Sequence, residues 1–379
     1  MKKILFRKLL ADYMRFFFLA LISTGVVIWV FQAVNFLDIM IEDGRDYLVY
    51  IKFSLLNFPK IISKIYPFVL FFSLFYITVK YEQNNELIIF WNFGVHKIQV
   101  INFIFKISLV LFLAQIFLTS IIVPKSQDLA RSYLRSSSVN FFDNFIKPRK
   151  FIDTIKGVTI YTDNKDKNGN LKNLYLKKEI GKNEFQVTYA KKGEFKEIGG
   201  IPILVLFEGS TITSKNNEVT NFAFSKSDFS LANLESNTTT YRKTQEISSS
   251  KLIICISSFY RLSKDKFKIK TKLIENCSAE NINNILKEFY KRFIIPFYIL
   301  ILCLIPFLLI TTSKENLNYN KLRLITFLTG LCAIIFSETT IRFISILTIQ
   351  NIGISMVPII LFLILYTFLF YKFNFQNSK

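Results

Sequence analysis

Three pairs of ionisable residues stand four positions apart at the margins of long apolar runs: Lys60 and Lys64, Arg131 and Arg135, Glu338 and Arg342. That spacing puts the members of a pair on one helix face. The lysine and arginine pairs fit two roles, as snorkelling anchors at the level of the lipid headgroups or as contacts to a phosphate. Glu338 and Arg342 fall inside an apolar run, where a charge is costly and usually faces a bundle interior or a wet cavity. They are either a structural ion pair or part of a passage.

Bond-making chemistry has little to work with. The single histidine is His96, which excludes His-rich metal sites and argues against a Ser-His-Asp triad. Neither a G-x-x-x-x-G-K-[ST] loop nor a C-x-x-C pair occurs. No catalytic residue, metal ligand or cofactor is therefore assigned, and an energy-requiring process would draw on a partner or an ion gradient. Cys303 and Cys332 lie in apolar runs as small hydrophobes. Cys255 and Cys277 lie in the polar middle, where an oxidising compartment would allow a disulfide, although their separation matches no known framework.

The elements that must position these residues are written in the apolar pattern. Of 379 residues 51% are hydrophobic and 42 are Phe, crowded into 16–123 and 293–372. A bilayer core of ~30 Å needs about 20 apolar residues per helix. Spans are expected at Phe16–Phe36, Leu55–Val79, Ile98–Val123, Phe293–Thr312, Leu322–Leu347 and Val357–Tyr371. The formal charge of +21 largely flanks these spans, which speaks against a nucleic-acid partner and for membrane anchoring, and a basic exterior can meet an anionic lipid or glycolipid. Lys2, Lys3, Arg7, Lys8 and Arg15 place the amino terminus in the cytoplasm, and the first run is too long for a signal-peptide core. Neither paired broken helices nor a buried carboxylate chain appears, which argues against a secondary carrier.

Between the two halves the pattern becomes short and alternating. Gly157–Thr162, Leu171–Leu176, Phe185–Tyr189, Ile203–Phe207 and Phe222–Phe224 read as strands separated by Gly/Asn/Asp turns, suggesting an antiparallel sandwich or jelly roll. Residues 125–146 form a helical exit, and helices near Ser248–Tyr260 and Ala279–Arg292 lead back to the membrane. The fold class is an α-helical membrane protein of six spans, three plus three, with an inserted all-β domain outside. Its domains run over 1–124, 125–290 and 291–379, with both termini cytoplasmic.

The stretch Glu82–His96 between spans two and three carries Leu87, Phe90, Trp91 and Gly94 at helical spacing, with Glu86 near the start. Such a short helix is either an interfacial turn or a coupling helix whose polar face docks a cytoplasmic motor domain. Its E-L-x-x-F-x-x-x-G pattern resembles the lipopolysaccharide-export permease family LptF/LptG. Arg292 and Pro296 look like that family's R-x-x-x-P entry to span four, Pro59 and Pro67 its proline-marked second span, and Pro358 its sixth. Ile155–Leu176 looks more like LptF than LptG. His96 and the bulky Phe90-Trp91 depart from the family's usual Ser and Ala-Leu.

The resemblance implies a periplasmic β-jelly roll between two triplets of spans. It also implies a non-catalytic permease subunit of an ABC-type exporter, extracting lipopolysaccharide from the inner membrane and passing it to a periplasmic bridge. Implied partners are an LptG-like paralogue, an LptB ATPase dimer that binds the ATP, and LptC and LptA. Glu86, Leu87, Phe90, Trp91 and Gly94 would couple to the ATPase, while Lys60, Lys64, Arg131, Arg135 and Arg342 are candidates for the glycolipid's phosphates. The alternative function is a membrane-anchored scaffold or receptor with an extracellular β domain and no transport role.

Overall fold

The computed structural model describes residues 2–41, 47–136, 146, 148–155, 158–166, 169–181, 184–198, 201–215, 218–230, 242–261, 276–312, 314–346 and 348–375. Two compact units are distinguished, one of Met1–Val30, Asn57–Asp128 and Tyr241–Lys379, the other of Phe31–Leu56 and Leu129–Thr240.

In the first half, α1 (Lys2–Ile41), α2 (Tyr47–Gln83), the short α3 (Glu86–Asn92) and α4 (Lys97–Phe117) follow in order, then a π-helical turn (Leu118–Ile122) and α5 (Val123–Ser136). After the sheet come α6 (Ser249–Arg261), α7 (Ile282–Phe293) and α8 (Tyr298–Leu304), the latter two separated by a 3-10 turn at Ile295–Phe297. Another 3-10 stretch (Ile305–Thr311), α9 (Tyr319–Thr339), a further 3-10 turn (Thr340–Phe343) and α10 (Thr348–Phe375) follow. Among the described residues, six stretches are long and apolar enough to cross a membrane: Lys2–Leu37, Tyr47–Gln83, Lys97–Leu134, Ile282–Thr311, Tyr319–Phe343 and Ile349–Asn374.

The helices overrun the apolar windows read from the sequence. A 40-residue α1 is ~60 Å long, twice the hydrocarbon core, because a polar helical turn remains stable once an apolar span has nucleated it. Pro59 and Pro67 sit within α2 and Pro358 within α10 without ending them, as transmembrane packing permits. Spans three and four are interrupted, by the π turn and by the 3-10 turns that carry Pro296 and Pro306 in their first positions.

Span four is the hub of the first unit. Ile299, Leu300, Cys303, Leu304 and Phe307 pack with Leu9, Tyr13 and Phe17 of α1, Leu70 and Leu74 of α2, and Val100, Ile101 and Ile104 of α4. On its other side Tyr298, Ile301, Leu302 and Ile305 meet Phe71. The Phe71 ring rests directly on Gly330 of α9, where any Cβ would overlap it. Beside α7, Cys255 and Cys277 are joined in a disulfide, inside a cluster with Leu252, Ile282, Ile285 and Tyr290. The pairing left open by the sequence is thus made.

The inserted domain is all-β and antiparallel, as expected, and its strands follow one another in sequence order. Strands β1 (Ile152–Ile155), β2 (Val158–Lys165), β3 (Leu171–Gly181), β4 (Glu184–Ile198), β5 (Ile201–Lys215) and β6 (Glu218–Ser230) form one antiparallel sheet in sequential order. The register explains why. Pairs Gly181↔Glu184, Ile198↔Ile201 and Lys215↔Glu218 close three hairpins whose strands are only two residues apart in sequence. Connections that short force successive strands to be neighbours. Ile160, Leu174, Leu176, Ala190, Leu204 and Leu206 form the buried face with Ile146, and Gly193 leaves room on that face for Leu174.

Candidate functional site

α3 is bounded by two backbone switches. Asn85, at φ 59°, occupies the left-handed region that Asn tolerates, and turns the chain out of α2. At the other end Gly94 has φ 68°. Its N–H donates to the Trp91 carbonyl at 2.9 Å while Val95 N–H donates to that of Phe90 at 3.0 Å, the paired bonds of a Schellman stop. The Glu start and the Gly stop read from the sequence are therefore where they were expected.

Only the outer face of α3 differs from the one expected. Leu87 and Phe90, 4% and 3% exposed, point into the chain's own core. There Phe90 meets the Phe6 ring of α1 edge-on with centroids 6.1 Å apart. What lies bare is apolar rather than polar: Ile88, Ile89 and Phe93, each close to half exposed. The reason is geometric. Seven residues make two turns, so burying positions 87 and 90 turns 88, 89 and 93 outward. The same spacing that identified the buried face could have identified this one.

Lysines hold α3 from three sides. Lys8 Nζ of α1 lies 3.1 Å from Glu86 Oε2, and Asn84 Nδ2 donates to Glu86 Oε1 at 3.4 Å. Lys2 Nζ donates to the Gly94 carbonyl at 2.8 Å. Lys97 Nζ donates to the Ile310 carbonyl at 3.0 Å, at the end of span four. Its ammonium also sits 5.9 Å from the Trp91 ring and 5.5 Å from that of Phe373 in α10, a cation–π arrangement. The sequence reading names Lys2 and Lys8 only as amino-terminal cations, because their hydrogen-bond partners are far along the chain.

A second polar centre forms at the start of span four. Arg292 is 2% exposed, yet each nitrogen of its guanidinium donates a hydrogen bond. Nε donates to Glu288 Oε1 at 3.0 Å, Nη1 to the Ile247 carbonyl at 2.8 Å and to Ser249 Oγ at 3.1 Å, and Nη2 to the Gln245 carbonyl at 2.9 Å. The Arg292 carbonyl accepts from Thr119 Oγ1 of the π turn at 3.0 Å. Arg292 therefore fastens the segment that returns from the sheet to spans three and four. Pro296, four residues on, lies in the 3-10 turn Ile295–Phe297. The adjoining cleft of about 350 Å³ is lined by Ser120, Lys125, Arg242, Glu246 and Lys251, with Arg242 Nε 3.0 Å from Asp128 Oδ1.

The remaining candidates are dispersed. Lys60 is half-buried and donates to the amide oxygens of Gln127 and Gln245 at 3.3 and 3.2 Å, so it ties helices together. Lys64, a turn away, is exposed. Arg131 is half-buried on α5, and the side chain of Arg135 lies outside the described residues. Glu338 and Arg342 are both exposed and do not form the ion pair that their spacing allowed. The helix tightens to 3-10 at Thr340, and at three residues per turn positions four apart no longer eclipse.

These features meet in a known family. Residues 7–372 match the family model described as Lipopolysaccharide export system permease LptF/LptG. The chain is also similar to Uncharacterized protein RP871 of Rickettsia prowazekii (strain Madrid E), 21% identical over 187 residues covering 49% of this chain and 52% of that protein. It thus spans about half the length of the curated relative it matches. With a match running through all six spans and the inserted sheet, the chain belongs to the LptF/LptG family of lipopolysaccharide export permeases, multi-pass proteins of the inner membrane.

Proposed function

We propose that the chain is one of two permease subunits of an ABC-type exporter, in the LptF position, extracting lipopolysaccharide from the outer leaflet of the inner membrane. An LptG-like paralogue completes the pair and an LptB dimer beneath binds and hydrolyses ATP, so this chain is not itself an ATPase. The sheet lies in the periplasm and passes substrate to LptC and LptA, with domains at 1–124, 125–290 and 291–379. Both termini are cytoplasmic, in keeping with the five cations that precede span one. A disulfide between Cys255 and Cys277 suits the oxidising side of the membrane.

The observation that carries the reading is α3: a helix fixed to its own chain on one face and bare at Ile88, Ile89 and Phe93 on the other, with Glu86 at its start. The bare apolar face is what a motor domain would grip, and Leu87, Phe90, Trp91 and Gly94 hold the helix for it. Among the candidate phosphate contacts, Lys64 and Arg342 are exposed enough to meet a headgroup, while Lys60, Arg131 and Arg135 complete the set.

Purification of the tagged chain with its complex, in wild-type, Glu86→Ala and Glu86→Lys forms, tests this. Wild type should retain an ATPase whose hydrolysis is stimulated by lipopolysaccharide, and Glu86→Lys should lose the stimulation. A wild-type chain that retains no ATPase in any mild detergent sinks the proposal and favours a membrane-anchored scaffold.

A further inference from the structure

We infer that Glu86 acts through Lys8, a positioning residue that makes span one, and not only the covalently attached spans two and three, follow the movement of α3. The inference rests on the exporter reading and says which part of the permease the short helix drives.

The first three turns of α1 lie along α3 as a seam. Lys8 Nζ holds the Glu86 carboxylate at 3.1 Å at one end, and Lys2 Nζ holds the Gly94 carbonyl at 2.8 Å at the other. Between them the Phe6 ring meets that of Phe90 at 6.1 Å. The six-residue step from Lys2 to Lys8 is about 9 Å of helix and the seven residues of α3 about 10 Å, so the two segments match in length. Because low numbers on α1 meet high numbers on α3, the seam is antiparallel. Contacts at both ends and the middle fix translation and tilt together, which a single contact would not.

The seam continues inward. The Lys8 ammonium lies 6.0 Å from the Tyr81 ring centroid. Tyr81, near the end of α2, donates its hydroxyl to Asp12 Oδ2 of α1 at 2.5 Å. One turn further, Tyr13 and Thr78 share a buried hydrogen bond of 2.9 Å. The connection from Glu86 therefore runs through Lys8 to a polar ladder between spans one and two. Both Glu86 carboxylate oxygens already have partners within the chain, Lys8 and Asn84. The carboxylate thus has work to do without a cation from another protein.

The test is a charge exchange in the whole complex, purified with its partner subunit and ATPase: Lys8→Arg, Lys8→Met, Lys8→Glu, Glu86→Lys and the double Lys8→Glu/Glu86→Lys. Two quantities are read, the ATPase retained and the stimulation of hydrolysis by lipopolysaccharide. Lys8→Arg should keep stimulation within about twofold of wild type. Lys8→Met and Lys8→Glu should retain the ATPase but lose most of the stimulation, and the double exchange should recover it. Lys8→Met covers the case in which the reversed charge prevents folding. Stimulation untouched by Lys8→Met overturns the inference, and so does a double exchange as uncoupled as Glu86→Lys, since Glu86 would then act directly on the ATPase. A wild-type chain without bound ATPase is a different result, and it removes the exporter reading together with the relay.

Discussion

Replacing Arg292 by methionine should destabilise the protein more than almost any other single change outside the apolar core. The guanidinium makes four hydrogen bonds at 2.8–3.1 Å, to Glu288, Gln245, Ile247 and Ser249, with 2% of the residue exposed. Methionine fills much of the volume of the aliphatic stem, so packing loss is small. The Glu288 carboxylate, 19% exposed, loses its cation, and the Gln245 and Ile247 carbonyls lose their donor. Removing one member of a buried charge pair costs about 3–5 kcal/mol. Part of the carbonyl penalty is already inside that figure, because the 245–249 segment can relax towards water, so about 4 kcal/mol is the working value. In a chain this long that corresponds to a fall in melting temperature of roughly 5 °C. The assay is loss of monodisperse protein on heating in detergent, followed by size-exclusion chromatography. Glu288→Gln in the Arg292→Met background should recover part of the loss, since the stranded charge is gone. A melting temperature within about 1 °C of wild type for Arg292→Met would refute the claim that this network holds the return segment to the spans.

Three further outcomes follow from the packing. Cys255→Ser with Cys277→Ser should lower stability by about 3 kcal/mol, the chain-entropy value for a closed loop of 22 residues; heating with and without reductant should show the same shift in wild type and no shift in the double variant. Gly330→Leu should cost about 1–3 kcal/mol by overpacking against Phe71, and Phe71→Ala should reverse part of that cost; additive melting shifts would show that the two do not touch. Phe90→Ala should cost about 3–5 kcal/mol because the ring is buried, whereas Phe93→Ala should leave melting unchanged and reduce the ATPase retained on purification. Equal melting temperatures for the two variants would mean that the faces of α3 have been assigned the wrong way round.

Much of the fold is legible in local pattern. Each span announces itself because a helix in hydrocarbon must satisfy its own backbone, so about 20 apolar residues in a row admit few other structures. Alternation over 157–224 similarly announces strands, and the segments read there fall inside observed strands, apart from Gly157, which lies outside the described residues; the strands run longer, β4 and β5 having 15 residues each. The order of the strands in the sheet was not read from that alternation. The two-residue connectors carrying Lys182-Asn183, Gly199-Gly200 and Asn216-Asn217 are hairpin chemistry, and weighting them would have led to the sequential meander. The i,i+4 argument for Glu338 and Arg342 failed for a related reason, since it assumed an α-helix where the chain had tightened to 3-10.

By itself the sequence determined what depends on near neighbours: six spans, an all-β insertion, and a short helix within 82–96 that ends at Gly94. Only tertiary structure decided what those elements do to one another. Lys8 meets Glu86 across 78 positions and Lys2 meets Gly94 across 92. Arg292 reaches back 45 residues to Ile247, and Cys255 finds Cys277 because a common apolar cluster brings α6 against α7. A lysine near an apolar run reads the same whether it anchors to lipid, grips a carbonyl or holds a carboxylate. Its role is set by which group lies within about 3 Å, and that follows from how whole helices pack rather than from the residues beside it.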